Sequence, residues 1–266
     1  MPMPKQFPTL LLVAAALPFN GPIVAAAEER VTLESRPDAT VDILVTPAWG
    51  TPRATAILFA GGTGRLRLAK GLPLKSRNFL VRSRNLFAEK GFLTIIVDAP
   101  SDRQDDGLLD FRHSAEHMTD IKTVIAWARK RANIPVWLIG TSRGTVSAAH
   151  AGTMLDADGI VFSASVTRES RRRKAIIFDA DLGKISAPVL IVHHKNDNCR
   201  VTPAEDVPEL AQRLSGAKRV ETFIFDGGRE EHRNRCQATT HHGFLGIENM
   251  VVSAIAGWIM GINPGR

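Results

Sequence analysis

A chain of 266 residues can bury a substantial core, and 44% apolar with 23% charged residues is the balance of a folded protein, which sets disorder aside. The net charge is +7, but apart from Arg171-Arg172-Arg173-Lys174 the basic residues are dispersed, and no aromatic side chains interleave that cluster. It describes a solvated loop or helix face, so no nucleic-acid partner is expected.

In residues 1–27, Lys5 is the only charge before an unbroken apolar run over residues 10–17, too short to span a membrane. Pro18, Asn20, Gly21 and Pro22 then break any helix, and Ala25-Ala26-Ala27 offers the small residues that a signal peptidase reads. The segment reads as a secretory signal peptide, leaving a mature chain from about Glu28 that is secreted or periplasmic. Loss of Lys5 lowers the net charge from +7 to +6. No cysteine near the cut indicates a lipid anchor, and no later apolar run reaches spanning length. In an oxidising compartment, Cys199 and Cys236 read as a disulfide, and their separation matches no zinc spacing.

Two opening strands are expected over residues 31–34 and 41–46, then a short strand over 55–59 running into Ala60-Gly61-Gly62-Thr63-Gly64. Residues 77–90 carry Phe79, Leu80, Phe87 and Ala88 at helical spacing, with Gly91 as a stop. A nearly continuous apolar strand over 92–97 precedes an amphipathic helix over 115–132, with Met118, Ile121, Ile125 and Ala128 on one face. A strand over 135–139 leads through Gly140-Thr141-Ser142-Arg143-Gly144 into a small-residue helix starting at 145–151. Strands over 159–162, 187–192 and 219–225 and helices over 203–214 and 246–260 repeat the alternation. The fold class is therefore α/β: a mostly parallel sheet of about eight strands flanked by helices, in one domain over residues 28–266. Function in such sheets gathers beyond the carboxyl ends of the strands.

A five-residue Gly-x-Ser-x-Gly pattern is weak alone, but Ser142 follows a strand and precedes a helix, the context of a nucleophile elbow. A serine hydroxyl needs a base, an acid to orient that base, and donors for the oxyanion. Asp197 stands just past the apolar strand that ends in His193-His194, where it is either a paired carboxylate or a turn residue. Of the eight histidines, His113 and His117 precede the serine and His150 follows it on the next helix, while His193 and His194 point from a strand end. His232 lies among charges, which leaves His241 and His242, with His242 preceding Gly243-Phe244 at the last helix.

These elements resemble the α/β-hydrolase superfamily over nearly the whole mature chain: Gly140 to Gly144, the run from Ala187 to Asp197, and His242-Gly243-Phe244, in the superfamily's order. The resemblance implies Ser142 as nucleophile, Asp197 as orienting acid and His242 as general base, with no metal or organic cofactor. It implies oxyanion donors at the Arg143 amide and in the glycine run, where Gly62 is preferred to Thr63. The histidine usual before those glycines is replaced by Ala60. A Cys199–Cys236 disulfide would tie the acid and base loops together, closing a loop worth roughly 4 kcal/mol by chain entropy.

The Arg143 side chain either pairs with Asp98 or Asp102, the preferred reading, or attracts an anionic substrate. Residues 166–185 could form a small cap. The leading expectation is an exported serine hydrolase acting on a small-molecule ester or related acyl bond. The alternatives are a peptidase or acyltransferase on the same triad, and a binding protein on a hydrolase scaffold.

Overall fold

The structure is a computed structural model that describes residues 1, 27–72, 74–171 and 175–261. The segment read as a signal peptide lies, but for its two ends, outside the described residues, as do Arg172, Arg173 and Lys174 of the basic cluster.

Apolar runs buried on both faces build the centre of one eight-stranded sheet. The strands are β1 (Glu29–Arg36), β2 (Ala39–Thr46), β3 (Ala54–Phe59), β4 (Phe92–Val97), β5 (Val136–Thr141), β6 (Gly159–Ser163), β7 (Val189–His194) and β8 (Val220–Phe225). Their order is β1-β2-β4-β3-β5-β6-β7-β8. The β1–β2 and β2–β4 pairs are antiparallel, and every pair from β4 to β8 is parallel. Every residue of β3 to β7 is buried, whereas the edge strands β1 and β8 are only partly covered.

Side-chain alternation along β5 feeds two cores, with Val136 and Leu138 in one and Trp137 and Ile139 in the other. The first core is covered by α3 (Ala115–Arg131), α4 (Gly144–Met154) and α5 (Val207–Arg213), the second by α1 (Phe79–Arg82), α2 (Arg84–Glu89) and α6 (Glu248–Ile259). Helix α3 begins where the Ser114 hydroxyl accepts the His117 amide, and its stripe of Met118, Ile121, Ile125 and Ala128 is buried as the spacing predicts. The fully buried Ile121 of that stripe contributes about 1.5–3 kcal/mol.

Three expectations are corrected. Residues 77–90 form two short helices, because Asn78 caps the first and Ser83, at ψ 3°, interrupts the ladder between them. Residues 203–214 open as a 3-10 turn over Ala204–Asp206 before α5, since Pro208 has no amide hydrogen to continue an α-helical ladder. The described part of 166–185 is no free-standing cap: the Ile177 amide donates to Val166 O, and Ile177, Leu182 and Ile185 are buried in the first core.

Candidate active site

The carboxyl ends of β3, β5 and β7 and the loop after β8 converge on one edge of the sheet. Ser142 follows β5 directly at φ 51°, in the left-handed region that costs a non-glycine residue roughly 1 kcal/mol. Its amide donates to Ser163 O at 2.9 Å, and its carbonyl accepts from the Thr145 amide at 2.9 Å and the Thr145 hydroxyl at 2.6 Å. The flanking glycines answer to close backbone approach. A Cβ on Gly140 would lie 2.5 Å from Gly144 O, and one on Gly144 would lie 2.0 Å from Phe59 O in β3. The pattern is thus required by how β5, α4 and β3 meet.

The glycine loop after β3 presses on the same serine, since a Cβ on Gly61 would lie 2.9 Å from Ser142 Cβ. Gly62 lines both cavities that reach Ser142, and its amide donates to no acceptor among the described residues. Arg143 is the N-cap of α4, where helix amides have no intrahelical acceptor. Beneath the loop lies Arg112, only 2% exposed. Its guanidinium donates to Ala60 O at 2.9 Å, to Gly62 O at 3.4 Å and to the Ser147 hydroxyl on α4 at 2.9 Å. One buried cation therefore ties the glycine loop to the helix that carries the serine. His117 Nε2 meets the same Ser147 hydroxyl at 3.0 Å, and burial, with the Arg112 charge adding to it, lowers the His117 pKa to about 3.

On the other side, His242 Nδ1 donates to Asp197 Oδ2 at 2.9 Å, both side chains being buried. The Thr202 hydroxyl lies 3.0 Å from the same oxygen and 3.1 Å from Nδ1, and the Cys199 amide donates to Asp197 Oδ1 at 2.9 Å. Burial pushes the Asp197 carboxyl up, but the charge and hydrogen bond of His242 outweigh it and hold the group below the usual carboxylate range. With Nδ1 engaged, Nε2 is left for the cavity of about 580 Å³ that His242 and Ser142 both line; among the described residues no hydrogen bond joins the two side chains. Cys199 and Cys236 form a disulfide that ties the loop of Asp197 to the loop of His242. Asp197, Cys199 and His242 lie close enough to resemble a metal cluster, but the Cys199 sulfur is spent in that bond.

The other histidines fall elsewhere. His193 donates through Nε2 to Thr202 O at 3.0 Å, behind Asp197, and burial lowers its pKa. His241 stacks on His194 with ring centroids 4.5 Å apart, and its Nδ1 is 3.3 Å from Glu230 Oε1. His232 is exposed. The expected Arg143 pairing is not formed. Asp98 accepts the amides of Leu66, Leu68 and Ala99, and Asp102 pairs with Arg36. Arg143 instead donates to Ser170 Oγ and Ala175 O, each at 3.3 Å.

Sequence reading missed Arg112 and Thr202. The first follows Leu108-Leu109-Asp110-Phe111 and precedes His113, and the second stands five residues after Asp197, with nothing in the sequence to mark either.

No family model matches the sequence, and no curated protein matches it in sequence. Solved structures match across nearly the whole chain. An α/β serine hydrolase without a lid from Xanthomonas campestris is 16% identical with a TM-score of 0.61, over 92% of this chain and 100% of that one. Est1E from Butyrivibrio proteoclasticus is 15% identical with a TM-score of 0.60, over 88% and 98% of the two chains. An esterase from Pyrococcus furiosus is 13% identical with a TM-score of 0.62, over 88% and 92%. The chain has the α/β-hydrolase fold, with the eight-stranded, mostly parallel sheet flanked by helices that the sequence leads one to expect.

Proposed function

We propose that the protein is a serine hydrolase that cleaves an ester or related acyl bond through Ser142, His242 and Asp197. The observation that carries this reading is the buried His242–Asp197 hydrogen bond of 2.9 Å beside a strained Ser142 on the same cavity. Ser142 Oγ attacks the acyl carbonyl while His242 Nε2 takes its proton, and Asp197 holds the imidazole in the right tautomer and stabilises its charged form. The amides of Arg143 and Gly62 hold the oxyanion, with Arg112 positioning the loop that presents Gly62. His242 then returns the proton to the leaving oxygen, and water repeats the sequence on the acyl-enzyme to release the acid.

The mature domain is residues 28–266, exported after cleavage of residues 1–27. The N-terminal pattern and the disulfide support that reading. A fluorophosphonate probe combined with 4-nitrophenyl esters tests the proposal. Wild type should label and turn over esters, and Ser142→Ala and His242→Ala should each lose at least about 10³-fold in kcat/KM. His241→Ala should stay active. Absence of labelling in folded wild type points to a binding protein, and preference for an anilide over the ester points to a peptidase. The intact mass of the labelled sample reports whether the chain begins near Glu28.

A further inference from the structure

Two cavities open on Ser142, and their walls differ. The one of about 580 Å³ contains His242, which must hand its proton to the leaving oxygen, so the leaving group belongs there. The acyl chain is left with the other, of about 520 Å³, whose walls among the described residues include Arg143, Arg171, Arg200, Ser170 and Asn234 and no Asp or Glu. Arginines elsewhere are mostly claimed by carboxylates: Arg36 by Asp102 and Asp120, Arg82 by Glu248, Arg84 by Glu28, Arg168 by Asp206. Arg171 and Arg200 are exposed at this cavity, and among the described residues neither makes an ion pair or a side-chain hydrogen bond. Two guanidinium groups kept out of salt bridges beside a nucleophile are a recognition element for a planar anion.

We infer that the acyl group of the substrate ends in a carboxylate, held by Arg171 and Arg200 in the cavity away from His242. The inference rests on the hydrolase reading above and adds the substrate class to it. The ester carbonyl sits at Ser142 while the acid end reaches the arginines, so a neutral acyl chain of equal length leaves both cations without a partner.

The test compares three esters on the purified full-length protein: 4-nitrophenyl heptanoate, the 4-nitrophenyl half-ester of pimelic acid, and the heptanoate of a carboxylated 4-nitrophenol. At about 20 mM salt the half-ester should exceed the neutral ester in kcat/KM by about tenfold, falling toward parity at about 500 mM. The Arg171→Gln/Arg200→Gln variant should bring that ratio near one, while Arg213→Gln on α5, where Arg213 pairs with Glu209, should keep it. The wild-type salt titration decides the matter if the double variant does not fold. Equal turnover of the neutral ester and the half-ester, a ratio untouched by the double variant, or a preference that follows charge on the leaving group would overturn the inference. Labelling with equal turnover removes this inference alone; no labelling and no turnover of any ester removes the hydrolase reading with it.

Discussion

The half of the site carried by β3 and β5 and the half carried by β7 and β8 reach the same cavity on connections of very different length. Ser142 lies in a turn that passes from β5 into α4 with no loop, and the turn is fixed by contact, Gly144 against Phe59 O and Gly61 against Ser142 Cβ. The His242 half sits on a longer connection, residues 226–241 between β8 and His242, and its close approach is within the loop itself, where a Cβ on Gly243 would lie 2.0 Å from Ala238 O. There the geometry is held by the Cys199–Cys236 bond and by hydrogen bonds onto Asp197. The serine turn is fixed against other strands and loops of the sheet, whereas the long loop packs against itself and reaches Asp197 through what ties it there.

Cutting the tie is the largest way to break that contrast. With 37 residues between the bonded cysteines, chain entropy puts the cost of Cys199→Ser/Cys236→Ser at about 4 kcal/mol in urea unfolding. The serine half should survive the cut better than the base half, so the rate of fluorophosphonate labelling should fall even under conditions where the variant stays folded. A loss below about 1 kcal/mol with unchanged labelling would show that the hydrogen bonds alone hold the loop.

The same contrast decides what could be read in advance. Both halves carry their candidate residues in local patterns, a glycine-flanked serine after the apolar strand β5 and an acid just past the buried strand β7. Fold class was legible for a similar reason, since runs such as residues 92–97, apolar but for Thr94, and 136–139 need cover on both faces. What stayed hidden is the support, which is made by tertiary contact. Arg112 meets Ala60 and Ser147 across 52 and 35 residues of chain, and no local spacing encodes such a meeting. The Arg143 side chain shows the reverse error. Asp98 looked like a nearby partner, but it is taken by three backbone amides, and Arg143 turns toward Ser170.

The serine half has its own weak point, and it is titratable. His117 is fully buried on the Ser147 hydroxyl with its pKa lowered from 6.5 to about 3, so the folded state holds it neutral where the unfolded chain binds a proton. Its contribution is fully present above pH 6.5 and is lost progressively as pH falls from there toward 3. By about pH 5 the loss should be about 2 kcal/mol, seen as a falling urea midpoint. Replacing His117 with Asn removes the titrating group, and its acid slope should be shallower than that of wild type even if its stability at neutral pH is lower. Parallel slopes for the two proteins would place the acid sensitivity elsewhere.

The smallest effect tests how finely the base half is set. Thr202→Val keeps the shape of the side chain and removes the hydroxyl 3.0 Å from Asp197 Oδ2, leaving the carboxylate with His242 and the Cys199 amide. The expected cost is about 1 kcal/mol of stability, with Thr202→Ser restoring it. Because Asp197 is held below its ordinary pKa, its contribution is present above that value and fades as pH falls through the lowered one. Losing a donor raises the folded pKa, so that window, read from urea midpoints against pH, should move upward. A structural loss alone would lower the midpoint equally at every pH. The pH profile therefore tells whether Thr202 tunes the acid or merely fills the space behind it.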